Sequence, residues 1–263
     1  MNNENKFISG ADPICPADFL ARARFGKVPK VAIARAGASL PMLAAYEATN
    51  EGIMTPIFIG ETEDIYLEAS KLSWDISKYK IINANGEAEA ASISANLCGV
   101  GEADVLMKGQ LHTDVFMKAA LNRDAGLRIG SKFVHLFAMS HPDGGSPIVI
   151  SDAAVNVNPD IETRKDATIS AVKLLNALGI KHPKIAFLSA TESVIPSVLS
   201  SVEGAELSKW AKQNIKKPIV VIGGINNLNY KELIKSGAKY IAISSYIWDN
   251  PKLKPEFAIK KFK

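Results

Sequence analysis

The stretch DVLMKGQLHTDVFMKAALNRDAGLR, Asp104 to Arg128, reads as one complete strand-to-helix unit. It opens on a short apolar run, Asp104 to Met107, crosses the polar connection Lys108-Gly109-Gln110, and enters a helix near Thr113. A buried strand that turns straight into a helix is the building unit of a parallel sheet covered by helices. In an open α/β sheet this turn, at the carboxyl edge, is where ligands bind. Free backbone N–H groups and the positive end of the helix dipole favour an anion there, Lys108 adds a full charge, and Gly109 lets a ligand approach the backbone. His112 and Thr113 complete the candidate set. A purely local reading covers the same residues: Thr113 as an N-cap, Asp114 as a first-turn acid, His112 as a turn residue and Lys108 as a surface charge. Asp114 would also repel a phosphate placed beside it.

Outward from this unit the alternation repeats. Apolar runs at Val31 to Ala34, Pro56 to Ile59, Lys80 to Asn83, Phe133 to Ala138, Pro147 to Ile150, Lys184 to Leu188, Ile219 to Ile222 and Tyr240 to Ile243 predict strands, most of them separated by helix-sized segments. The best-marked helix follows Asn158 as cap, with Pro159 at the first helical position and Asp160 and Glu162 in the first turn. Ile169, Val172, Leu175 and Leu178 give it one apolar face, and Gly179 is placed to end it. The turn formers Ser140 to Pro147 predict a long hairpin loop or a domain hinge, with His141 a solvated loop residue in preference to a catalytic one.

The 263 residues are 47% hydrophobic and 22% charged, a composition that excludes disorder and allows one large or two modest domains. No apolar run reaches the roughly 18 residues of a membrane span, and the start lacks the features of a signal peptide, so a cytoplasmic location is expected. Cys15 and Cys98 stand far apart, which suggests neither a disulfide framework nor a zinc site, and no metal is expected. The net charge of +4 is unevenly spread: residues 205–263 hold 12 Lys, no Arg and 4 acids, a net +8, while residues 1–204 carry −4. Lysines scattered singly among apolar residues read as a solvated basic face better than as a nucleic-acid site.

Four segments in order, LMKGQLHTD, GLR at Gly126 to Arg128, ISDAAVNVNPDIETRKD from Ile150, and PKIAFLSATESVIPSVLSSVEGAEL from Pro183, resemble the phosphate acetyl/butyryltransferase family over about Asp18 to Asn214. The closest likeness is to the form often fused behind an enoyl-CoA hydratase domain in bacteria. The resemblance implies two α/β domains with mainly parallel sheets and a cleft between them, and transfer of an acyl group between coenzyme A and phosphate. Coenzyme A is then a substrate, no other cofactor is implied, the partners are acyl-CoA and phosphate with no nucleic acid or membrane, and a homodimer is suggested. A thiol with a pKa near about 8.5 must lose its proton to attack the acyl phosphate, which a carboxylate base assists. The departing phosphate needs cationic and N–H donors, to which Lys108, Gly109, His112 and Thr113 would contribute. Arg128 is a further phosphate or diphosphate ligand or a helix-dipole partner, and Asp152, Asn156 and Glu192 are site residues or turn and cap formers.

In the family the chain returns to complete the first domain with a Ser-Arg-x-Asp-Ser-like segment that binds phosphate and supplies the thiol base. Here no arginine follows Arg164, so the return segment is expected to be missing, the catalytic residues are unassigned, and activity is in question. From Lys216 the sequence resembles instead the end of thiamine-phosphate synthase, a (β/α)8 barrel. Gly223, Gly224 and Ser245 match that family's phosphate-binding loops. A chimeric chain is the expectation, by gene fusion or by an assembly or recombination artefact; a diverged transferase tail that is barrel-like by chance is the alternative. The domains expected are a flexible tail at 1–14, a first α/β domain at 15–140, an incomplete second at 141–214 and a barrel-like βαβ tail at 215–263. The functions open at this point are a phosphate acyltransferase, a non-catalytic binder of coenzyme A or phosphate, and a thiamine-phosphate synthase-like protein.

Overall fold

A computed structural model describes residues 16–140, 146–152, 154–191, 193–215, 220–222, 225–235, 240–243 and 245–262. Contacts divide the chain into two units, Met1–Gly130 and Ser131–Lys263.

The first unit runs α1 (Ala17–Ala23), β1 (Lys30–Ala34), α2 (Ser39–Asn50), β2 (Thr55–Gly60), α3 (Thr62–Lys71), β3 (Lys80–Asn83), α4 (Gly86–Gly99), β4 (Val105–Lys108) and α5 (Thr113–Ala120). Its four strands form one parallel sheet in the order β3-β2-β1-β4. The two central strands are apolar along nearly their whole length because helices cover both faces. Alternate residues divide between two cores: Val31, Ile33 and Phe58 join Met42, Ile65 and Ile76 on one face. Ala32, Ile57 and Ile59 join Ala90, Leu97 and Ala103 on the other. Phe58, Trp74 and Tyr79 meet edge to face, which adds to the burial of the first core. Pro56, which has no N–H to give, lies one residue before β3 begins to pair at Ile57.

The strand order fixes where the loops open. From β1 the chain steps to β2 and β3 in one direction, and α4 then carries it back to lay β4 on the other side of β1. The loops leaving β1 and β4 therefore diverge at a topological switch point, the usual crevice of an open α/β sheet. Lys108, expected in the connection, is the last residue of β4, because it pairs in register with Ala34.

The second unit contains β5 (Phe137–Met139), β6 (Ile148–Ile150), α6 (Ile161–Ala177), α7 (Leu199–Asn214), β7 (Val220–Ile222), α8 (Tyr230–Lys235), β8 (Tyr240–Ala242), α9 (Ser245–Trp248) and α10 (Pro255–Ala258). β5 and β6 pair antiparallel within this unit, so the strands on either side of the Ser140 to Pro147 segment form a hairpin, while residues 141–145 lie outside the described residues. That pairing also draws Phe137–Met139 into the second unit, and the division falls ten residues before the expected 140/141 boundary.

The expected strand over Phe133 to Ala138 shortens because side chains take over its backbone. The His135 N–H donates to Asp152, and the Phe133 and His135 carbonyls accept from Asn156 and Ser151. At Lys184 to Leu188 only Ile185 forms a bridge; Ile185 and Phe187 turn onto the end of α7, with no longer ladder beside them among the described residues. The cap of α6 is Asp160, not Asn158, since the Asp160 carboxylate accepts the Thr163 N–H at 2.7 Å. Gly179, at φ 83°, follows the helix in the left-handed conformation expected of a stop. On α6, Ile169 is exposed and Val172, Leu175 and Leu178 are half-buried, while Thr163, Ala167 and Thr168 are buried.

In the tail, β7 and β8 pair in parallel across α8 as a βαβ unit. Among the described residues the sheets have four, two and two strands, so no closed eight-stranded barrel is built there.

Candidate functional site

Each of the four βα turns of the first unit sends one polar residue to the same edge of the sheet. Arg35 leaves β1 with φ 56°, a conformation uncommon for a residue with a Cβ. Glu61 follows β2, Glu87 stands in the first turn of α4, and His112 is the N-cap residue of α5. Arg35 ties these turns together: its Nη2 lies 3.4 Å from Glu61 Oε1 and its Nη1 lies 3.3 Å from Glu87 Oε1. The same Nη1 donates to the Gln110 carbonyl at 3.4 Å. Glu87 in turn accepts the His112 backbone N–H at 3.0 Å and faces His112 Nδ1 at 2.9 Å from both carboxylate oxygens.

The network keeps both carboxyls ionised. Burial alone would raise Glu61, but its own N–H, that of Gly86, and the hydrogen bond and charge of Arg35 outweigh burial and hold it below the ordinary value. Glu87 is lowered first by the His112 N–H and then by the His112 ring, with the charge of Arg35 adding to them against burial.

Gly109 brings β4 against the turn out of β1. Its N–H donates to the Ala34 carbonyl at 2.9 Å, and a Cβ there would come within 2.4 Å of the same oxygen. Its smallness therefore serves chain-to-chain approach at the switch point, beside any service to a ligand. Lys108, next to it, is exposed and has no ion-pair partner among the described residues. His112 and Thr113 open α5, where no side chain caps the free N–H groups. Thus Lys108 and Thr113 flank the turn that holds Gly109 and His112. Arg128 is exposed beyond the 3-10 turn at Arg123–Ala125, eight residues past the end of α5, which removes it from the dipole of that helix.

Asp152 and Asn156 lie together in the second unit, turned toward backbone. Asp152 accepts the N–H groups of His135, Ala154 and Val155 and the side-chain amide of Asn156. Burial would raise its carboxyl, and these hydrogen bonds together hold it below the usual range. Asp152 also borders an open cleft of about 800 Å³ between β6, α6, the 182–188 segment and α7, lined mostly by aliphatic side chains with Arg164 among them. Arg164 is spoken for, at 2.8 Å from Glu203. Glu192, Gly223 and Gly224 lie outside the described residues, as do His141, Cys15 and residues 1–14, and Ser245 opens the short helix α9. No group of three or more His, Cys, Asp or Glu among the described residues is placed to hold a metal. No helix there is long and apolar enough to cross a membrane.

Arg35, Glu61 and Glu87 were not legible as site residues. The one local signal was a charged residue at the end of each strand or the start of each following helix, a position that helix-dipole arguments explain equally well.

The family model described as "Phosphate acetyl/butaryl transferase" matches residues 87–225, from Glu87 of the network to eleven residues beyond Asn214. The stretch from Ala205 to Lys216, where the lysine-rich character begins, falls inside that match. Phosphate butyryltransferase of Clostridium acetobutylicum is 29% identical over 206 residues, 78% of this chain and 68% of its own length. Phosphate acetyltransferase of Rickettsia felis is 31% identical over 228 residues, 86% of this chain and 65% of its own length. The chain thus spans about two thirds of the length of these relatives. A phosphotransacetylase from Staphylococcus aureus superimposes with a TM-score of 0.63 at 20% identity, covering 85% of this chain and 79% of that one, a likeness of fold.

Proposed function

The chain belongs to the phosphate acetyl/butyryltransferase family, and from that membership we propose that it transfers an acyl group between coenzyme A and inorganic phosphate. The observation that carries the assignment of the site is Lys108: an exposed cation without an ion-pair partner among the described residues, at the carboxyl end of β4 and next to the switch point. Lys108, Thr113 and the first N–H groups of α5 receive the phosphate, with His112 beside them, and their grip tightens as charge builds on it in the transition state. Gly109 leaves the backbone open at that point, and exposed Arg128 is available to a second phosphate or to the diphosphate of coenzyme A. Coenzyme A is a substrate in this scheme, and a homodimer in the cytoplasm follows from the family reading alone.

Purified protein mixed with acetyl-CoA or butyryl-CoA should release thiol only when phosphate is present, and the faster substrate identifies the acyl chain. No phosphate-dependent release from either thioester rules out the transfer.

A second reading is binding of phosphate or coenzyme A without turnover: the uncapped start of α5 beside Lys108 is an anion site, while the carboxylate of Asp152 is taken up by backbone N–H groups. It predicts calorimetric heat on titration with phosphate or coenzyme A and no thiol release. The thiamine-phosphate synthase likeness of the tail is supported by the parallel βαβ unit of β7, α8 and β8. Such a unit is common to parallel α/β folds, so the likeness rests on the sequence of that segment and carries no barrel activity.

A further inference from the structure

We propose that Glu87 is a positioning residue that locks the His112 imidazole with Nδ1 inward and Nε2 toward the switch-point crevice, so that His112 carries the proton of the acyl transfer. The proposal rests on the transfer reading above and assigns a proton carrier to it.

The geometry leaves the ring one orientation. Both Glu87 oxygens are 2.9 Å from His112 Nδ1, and Oε2 also accepts the His112 backbone N–H at 3.0 Å. An ionised carboxylate only accepts, so Nδ1 carries the hydrogen and the lone pair of the neutral ring sits on Nε2. Glu87 is 23% exposed and His112 80%, which puts the carboxylate behind the ring and the far side of the ring in the open. Glu87 cannot easily swing away, because Arg35 holds it from the turn after β1 while also holding Glu61 from the turn after β2. Nor is His112 occupied by helix capping: it stands at the N-cap of α5 and its side chain makes no cap bond. The charged groups around the ring are Glu87 and Arg35 behind it, Glu61 beyond Arg35, and Lys108 and Asp114 on either side in sequence. A histidine oriented through one nitrogen by a carboxylate, with the other nitrogen free, is the arrangement that accepts and returns a proton.

The step balances without any further reagent. The coenzyme A thiol gives its proton to Nε2, and the sulfur electron pair forms the new bond to the acyl carbonyl carbon. The bond from that carbon to the phosphate oxygen breaks with its electron pair staying on the phosphate, which takes the proton back from Nε2. Acyl phosphate and thiol enter; thioester and hydrogen phosphate leave. While the ring is positively charged, Glu87 stabilises it.

The test uses the full chain and the Glu87→Gln, Glu87→Asp and His112→Gln variants, with circular dichroism to confirm the fold of each. Thioester-dependent turnover with phosphate is followed across pH, and nitrogen NMR reads the His112 tautomer without reference to activity. The expected result is a wild-type ring protonated on Nδ1 and a mixture of tautomers in Glu87→Gln. With it should come a kcat lower by about 10- to 100-fold, with the KM for phosphate within about twofold. His112→Gln should lose the limb of the pH profile that the ring supplies, and Glu87→Asp should recover part of the rate. If the wild-type chain turns over and Glu87→Gln keeps its kcat, or if the wild-type ring is protonated on Nε2, this proposal fails alone. If the wild-type chain releases no thiol at all, the transfer reading fails and the proton role with it.

Discussion

Gly109 donates its N–H to the Ala34 carbonyl at 2.9 Å, and the two residues approach so closely that a Cβ on Gly109 would lie 2.4 Å from that oxygen. The contact sits where β4 leaves the sheet beside β1, so the shape of the switch point depends on it. Backbone atoms, not flexible side-chain ends, occupy the space a methyl would need. Gly109→Ala should therefore destabilise the first unit by about 1–3 kcal/mol, read from the urea midpoint, because the strand ends must move apart. An unchanged midpoint would show that the turn relaxes freely.

The carboxyls of Glu61 and Glu87 titrate below their ordinary value of 4.5 in the folded chain. A group with a depressed folded value contributes stability at pH above its unfolded value, and loses it as the pH falls through the folded one. The first unit should then be steady from neutral pH down to about 4.5 and weaken below it. Trp74 lies in this unit, so its fluorescence, in a chain with Trp210 and Trp248 replaced by Phe, isolates the transition from that of the second unit. Glu61→Gln should flatten the acid limb; an acid limb of undiminished slope in that variant would place the titration elsewhere.

Lys108 is exposed and unpaired among the described residues, so Lys108→Gln should leave stability within about 0.5 kcal/mol. Phosphate affinity should fall by about tenfold, close to 1.4 kcal/mol, when measured by calorimetry. A stable variant with unaltered phosphate binding would remove Lys108 from the site.

Asp152 accepts three backbone N–H groups and the Asn156 amide, which makes it a loop organiser in the second unit. Asp152→Ala should cost about 2 kcal/mol by stranding these donors, and should loosen the β5–β6 hairpin, visible as faster amide exchange at His135. Exchange at His135 that stays at the wild-type rate would contradict this.

Phe58, on β2, is fully buried in the core that β1, α2 and α3 share with it, and meets Trp74 and Tyr79 edge to face. Phe58→Ala should destabilise the first unit by about 3–5 kcal/mol, enough to unfold it at modest temperature. A loss under about 1 kcal/mol by thermal melt would mean that the core collapses around the gap.

The sequence by itself determined what local chemistry controls. Apolar runs too short for helices, broken by helix-period segments, identify a parallel α/β fold because burial on both faces demands continuous apolar strands. The Asp104 to Arg128 segment is readable as strand, turn and helix for the same reason, and Lys108, Gly109, His112 and Thr113 stand out from it as polar or small residues at its strand-to-helix connection. Tertiary structure alone decided which turns meet. Arg35 is 52 residues from Glu87, and Glu87 is 25 from His112. Nothing within a helical or strand period connects them. They converge because α4 carries the chain back across the sheet to place β4 beside β1. The same limit applies to Asp152: as a ligand-facing acid and as a loop former it is written with the same letters, and only the direction of its carboxylate, toward backbone N–H groups brought from Val155 and His135, separates the two.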